Sequence, residues 1–127
     1  MTARIDTLFA VLGFSYFVLG IALGIGMGIS QDFRLMHVHA HINLVGFVAQ
    51  GAFGFAYRLW PSLRTSALAV AQFWLMVVGT PIFLAGLPLA QFHDQPALAI
   101  IGSLMVLTSA ALFLTMFAGK ALNEVRA

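Results

Sequence analysis

Three histidines fall within five residues, His37, His39 and His41, in the run RLMHVHAHINLVGFVAQGAFGFAYRLWP. A neutral imidazole is the commonest protein ligand for metals. This run opens a long apolar segment, where an ionisable side chain is costly unless it finds polar partners or a bound metal. A fourth histidine, His93, stands far along the chain beside Asp94. Free ions held by three or four imidazoles suit copper or zinc, which makes His37, His39, His41 and His93 the candidate metal ligands.

The elements that must position these rings are membrane helices. The 127 residues are 61% hydrophobic and 8% charged, with a mean hydropathy of +1.00. The apolar residues form four blocks, Leu8–Ile29, Leu35–Trp60, Ala67–Ala90 and Ala97–Gly119. Each is long enough to cross a bilayer, which takes about 20 residues. The pattern predicts an all-α, polytopic membrane protein. It is a single domain over residues 1–127, with four transmembrane helices at about 8–29, 35–60, 67–90 and 97–119. The first block is longer than the roughly 7–15 apolar residues of a cleaved signal, so it reads as a retained helix.

Lys and Arg mark the cytoplasmic side of a membrane protein. Arg4, Arg58, Arg64, Lys120 and Arg126 collect on one side, and Arg34 stands alone on the other with Asp32 and Asp94. Both termini and the middle loop are therefore expected in the cytoplasm. All four histidines are then expected near the outer face. The expected location is a bacterial inner membrane, with the histidines periplasmic. The sequence pI is near 9.7, but the basic residues sit at helix ends. They set topology and do not form a nucleic-acid surface.

On a regular helix His37 and His41 share a face, and His39 is turned about 200° from both. Leu44, Val48 and Phe55 continue the first face. Asn43, Gly46, Gln50, Gly54 and Tyr57 continue the second, a stripe of polar and small residues. Gly20, Gly24 and Gly28 form a doubled Gly-x-x-x-Gly face on the first helix, expected to let a neighbour approach closely. Tyr57 and Trp60 are expected in an interfacial aromatic belt. Pro81 is expected to kink the third helix. Ser103, Thr108, Ser109 and Thr115 read as interhelical hydrogen-bonding groups on the fourth.

Several chemistries find no footing. Cysteine is absent, which removes disulfides, thiolate metal sites and covalent haem attachment through Cys-x-x-Cys-His. Asp6, Asp32, Asp94 and Glu124 all fall at helix ends or in loops, so no mid-membrane carboxylate relay is visible. No nucleophile elbow, phosphate loop or His-Glu-x-x-His occurs.

The histidine run resembles a ligand helix of haem–copper oxidase subunit I. It is most similar to the His-x-His helix of the cytochrome c oxidases that use only b-type haems. The matching residues are His39, His41, Gly46, Phe47, Gly54, Tyr57 and Pro61, within the stretch His37 to Pro61. The resemblance implies that His39 corresponds to the high-spin haem ligand and His41 to the low-spin one. It implies that the chain is one four-helix repeat of that fold, a bundle or arc. A homotrimer is the expected assembly, with a homodimer as the alternative.

The expected function is a small membrane cytochrome. Haem b would bind through His39 and His41, with His37, Asn43 and Gly46 lining the site, for electron transfer or for binding NO or O2. A histidine over a long apolar stripe suits the flat macrocycle. A redox partner protein is implied. The other readings are a copper or zinc binding or transport protein, and an accessory subunit of a respiratory complex. Turnover of O2 by this chain alone is not expected.

Overall fold

The structure is a computed structural model that describes residues 4–127. Every regular element among the described residues is helical. In chain order they are α1 (Ile5–Ser30), α2 (Met36–His41), a π-helical segment (Ile42–Ala49) and α3 (Gln50–Leu59). A 3-10 turn (Pro61–Thr65), α4 (Ala67–His93) and α5 (Ala97–Arg126) follow. Three helices, α1, α4 and α5, are long and apolar enough to cross a membrane. The second apolar block is an unbroken helical run made of α2, the π segment and α3.

The π segment departs from the regular helix expected over 35–60. Its cause is local. The side chain of Asn43 donates from Nδ2 to the carbonyl oxygen of His39 at 3.1 Å. A short amide side chain that bonds the backbone four residues back competes with the helical ladder. Single wide turns of this kind concentrate at functional sites. The wider spiral changes the phase of everything below it, and this matters for the site.

Two helical hairpins build the molecule: α1 packs on the α2–α3 run, and α4 packs on α5. The α4–α5 seam is the tighter. A Cβ placed on Gly86 would collide with the backbone of Ala99, and one on Gly102 with the backbone of Phe83. Gly79 faces Met105 in the same seam. α4 stays helical through both Pro81 and Pro88. α5 runs past the expected Gly119 for 30 residues in all, about 45 Å at 1.5 Å per residue. That exceeds the roughly 30 Å hydrocarbon core. Its last turns carry an exposed ion pair between Lys120 and Glu124 at 3.2 Å.

The hairpins meet around Ile5, Phe9, Tyr57, Ala69, Phe73 and Met76, all buried. Phe9 lies edge-on to Phe73, with ring centroids 4.9 Å apart. Tyr57 is fully buried here and is not in an interfacial belt, because its hydroxyl finds an acceptor inside: it donates to Gln72 Oε1 at 3.0 Å. Gln72 Nε2 in turn donates to Ser109 Oγ at 3.0 Å. The Ser109 hydroxyl donates to the Gln72 carbonyl at 2.8 Å. This network ties α3, α4 and α5 together, the interhelical role expected of Ser109. Ser103, Thr108 and Thr115 instead bond carbonyls of their own helix.

Charges close both ends. At one end the buried Asp6 carboxylate pairs with Arg58 at 3.1 Å and Arg64 at 3.0 Å. At the other, Gln91 Nε2 donates to the Arg34 carbonyl at 3.1 Å, joining the start of the α2 run to the end of α4. Arg34 also holds Asp32 in a two-pronged pair, with Nε–Oδ1 at 3.0 Å and Nη2–Oδ2 at 2.7 Å. That contact draws the Asp32 carboxyl down to a pKa of about 2.

Candidate histidine site

His39 and His41 both precede the π segment, so the geometry of a regular helix still governs them. They leave the helix on opposite sides. His39 lies against α1, where its Nδ1 is 2.9 Å from the carbonyl oxygen of Gly20. His41 lies against α4, with its ring edge-on to Phe83 at a centroid distance of 5.1 Å. Its Nδ1 is 2.7 Å from the carbonyl oxygen of His37, one turn back.

These two contacts set the ring tautomers. A carbonyl oxygen only accepts, so each Nδ1 must carry the proton and donate it. Each neutral ring then holds its lone pair on Nε2. Neither Nε2 has a hydrogen-bond partner among the described residues. Anchoring one ring nitrogen on a carbonyl while freeing the other is the arrangement that orients metal-ligating histidines.

The two rings differ in their surroundings. The His39 face is covered by α1. A Cβ on Gly24 would lie 2.9 Å from His39 Cε1, and one on Gly20 would strike the Asn43 side chain. Gly46 on the same face is filled by the ring of Tyr16. The contacts expected of Asn43 and Gly46 with a cofactor are thus taken up by α1. The Gly-x-x-x-Gly face acts at Gly20 and Gly24, where it accepts side chains of the α2 run, while Gly28 faces open space.

His41 opens instead on a groove of about 320 Å³ lined by His37, His41, Leu87, Ala90 and Gln91. Leu44, Val48 and Phe55 are 59%, 53% and 66% exposed, but none of them lines this groove. Gln50 and Tyr57 face α4 as His41 does, so Val48 and Phe55, two residues earlier, point to roughly the opposite side, and the apolar stripe expected to continue the His41 face does not do so past the π segment. The opposite stripe does not stay together. Gly54 continues toward α1 beside Phe9, but Gln50 and Tyr57 turn to α4, bonding Thr80 at 3.4 Å and Gln72. The change of phase across the π segment accompanies this split.

His37 is exposed and shares the groove. His93 is exposed at the last residue of α4 and does not line it. Among the described residues, no three His, Asp or Glu side chains gather where they could hold one ion. Sequence reasoning missed Leu87, Ala90 and Gln91 as groove residues. They lie some 50 positions from the histidines, and only the packing of α4 brings them near.

Whether this donor set fits a haem follows from these features. One imidazole with a free Nε2, at a groove with Leu87 and Ala90 as its apolar wall, is one axial ligand for a haem iron. The His39 side lacks the room. No protein-family model, curated protein or solved structure matches the chain.

Proposed function

We propose that this chain is a small membrane haem protein that binds non-covalent b-type haem through Nε2 of His41. Bound there, haem would supply a one-electron couple or a site for a diatomic gas such as NO or O2. His41 is the iron ligand in this reading. The carbonyl of His37 holds its ring at the correct tautomer and angle. Leu87 and Ala90 offer the apolar wall, and Gln91 and His37 supply the polar groups of the groove. His39 is a positioning residue that docks α2 on α1.

A single observation carries the reading: the His41 Nε2 is unpartnered at a groove between the α2 run and α4, with Nδ1 fixed on a carbonyl. Four membrane crossings belong to the same reading. The helical run Met36–Leu59 supplies the fourth, beside α1, α4 and α5. The distribution of Arg and Lys supports cytoplasmic termini and a periplasmic histidine end in a bacterial inner membrane.

An optical titration of the detergent-purified protein with hemin tests it. A sharp Soret band that moves on dithionite reduction is expected. His41→Ala should abolish that band or strongly displace it, and His93→Ala should leave it unchanged. An unaltered spectrum in His41→Ala rejects the ligand assignment.

A further inference from the structure

We propose that the groove between the end of α1 and the loop leading to α2 binds one phospholipid with an ethanolamine headgroup, its phosphate on Arg34 and its ammonium on Asp32. This groove shares no lining residue with the histidine groove, and the inference stands whether or not haem binds at His41.

The groove holds about 320 Å³. Its long wall is a single face of α1: Leu23, Gly26, Met27 and Ser30 follow the i, i+3, i+4, i+7 spacing of one helix stripe. From Leu23 to Ser30 that stripe climbs about 10 Å. It is apolar at Leu23 and Met27 and polar at Ser30. Leu35 and Phe92 close the apolar part from the other side, and Asp32 and Arg34 form the rim. Because α1 is long and apolar enough to cross a membrane, this change of character runs along the membrane normal. The floor lies at hydrocarbon depth and the rim at headgroup depth. A water-soluble ligand leaves the floor unmatched, and a hydrocarbon leaves the rim unmatched. A phospholipid matches both.

The floor has room for a chain. Gly20 and Gly24 on the same helix are filled by the side chains of Asn43 and His39, but a Cβ on Gly26 would meet nothing within 4 Å. The volume lies at the lower end for small-ligand pockets, roughly 300–1,000 Å³. The headgroup and the top of one acyl chain therefore enter, and the remainder of the lipid lies in the bilayer.

The rim selects the headgroup. Asp32 occupies Nε and Nη2 of Arg34, while Nη1 has no partner among the described residues. A guanidinium is a favoured donor to phosphate oxygens. The rim is set before a ligand arrives, because Asp32 fixes the guanidinium and the Asp32 N–H donates to Ser30 Oγ at 3.3 Å. The same carboxylate cancels the charge of Arg34. A headgroup of net negative charge would find no compensation there. An ethanolamine headgroup brings its own ammonium, and the Asp32 side chain, 43% exposed, is open to it. Charge complementarity thus favours phosphatidylethanolamine over phosphatidylglycerol.

Native mass spectrometry of the full chain, released from mixed micelles holding equal amounts of these two lipids with matched acyl chains, tests the proposal. One phosphatidylethanolamine per chain should survive removal of the detergent. It should exceed phosphatidylglycerol by about two- to fivefold, the range expected of an exposed ion pair. Gly26→Leu should lose the lipid, since its side chain fills the floor without striking the protein at Cβ. Gly28→Leu also enters open space but lies outside the groove, and should keep the lipid. Asp32→Asn leaves the charge of Arg34 uncancelled and should reverse the preference toward phosphatidylglycerol. Equal retention of the two lipids by the parent, or a lipid that persists in Gly26→Leu, overturns the site.

Discussion

The His39 imidazole hangs from the backbone of α1, its Nδ1 2.9 Å from the Gly20 carbonyl oxygen, with Gly24 directly beneath the ring. One contact thus joins the candidate histidine helix to its neighbour and fills a space that only glycine leaves. A Gly24→Ala substitution would set its methyl 2.9 Å from His39 Cε1. Overpacking of this kind costs about 1–3 kcal/mol. The variant should unfold at lower temperature in detergent than the parent. Gly28→Ala faces open space and should be neutral or stabilise slightly, since Ala is the better helix residue by about 0.5–1 kcal/mol. Equal loss in both variants would show that the ring does not sit in this niche.

The two buried glutamines should respond in opposite ways. Gln72 is the acceptor for the Tyr57 hydroxyl, so Gln72→Leu strands a buried donor and should cost about 1–3 kcal/mol. Gln50 is equally buried, but its Oε1 has no partner and its amide bond to Thr80 is long, at 3.4 Å. Gln50→Leu removes an unsatisfied acceptor, and Thr80 can turn its hydroxyl to a carbonyl of its own helix. That variant should match or exceed the parent in thermal stability. A loss at Gln50→Leu as large as that at Gln72→Leu would refute the distinction.

Much of this architecture is legible in the sequence because apolar runs of membrane length admit little besides helices. The opposition of His39 and His41 is legible for the same local reason: two residues apart on a regular helix means opposite faces. It survives because both lie before Ile42, where the π segment begins. Below that point the reading by regular periodicity fails. Gln50 and Tyr57 leave the stripe they were expected to share with Asn43 and Gly54. The sequence holds a hint in Asn43, whose side chain bonds the His39 carbonyl, but an asparagine in a helix does not announce which bond it makes. The tight contact of Gly86 with α5 was not legible either. It pairs residues of different helices, and no spacing rule connects them.

The loop at the histidine end carries its own pH signature. Arg34 bonds Asp32 through its side chain and its backbone N–H, and the carboxyl titrates near 2. A depressed acid pKa adds stability that is present above the ordinary value near 3.8 and is lost as pH falls through the folded value. The loop should therefore keep its contacts at pH 4 and release them near pH 2. A carbon-detected NMR titration of Asp32 reads the midpoint directly. In Arg34→Gln it should return toward the ordinary value, and a midpoint still near 2 would assign the shift to another group.

The opposite end is held by a carboxylate that water scarcely reaches. The side chain of Asp6 is 2% exposed and meets both Arg58 and Arg64. It thereby fixes the start of α1 to the end of α3 and to the 3-10 turn before α4. Removing one member of a buried ion pair costs about 3–5 kcal/mol, because the remaining charge loses its compensation. Arg58 is 73% exposed here and can rehydrate, so Asp6→Ala should fall at the low end, about 3 kcal/mol. Arg58→Ala should cost much less, since Asp6 keeps Arg64 and an exposed pair contributes about 0–1 kcal/mol. Chemical denaturation of both variants in mixed micelles measures the ratio. If Arg58→Ala proves as damaging as Asp6→Ala, the hydrated arginine rather than the buried carboxylate carries the clamp. The histidine end lies at the far end of the bundle, so hemin titration of Asp6→Ala below its unfolding midpoint should give the parent spectrum. A displaced Soret band in that variant would couple the two ends of the bundle.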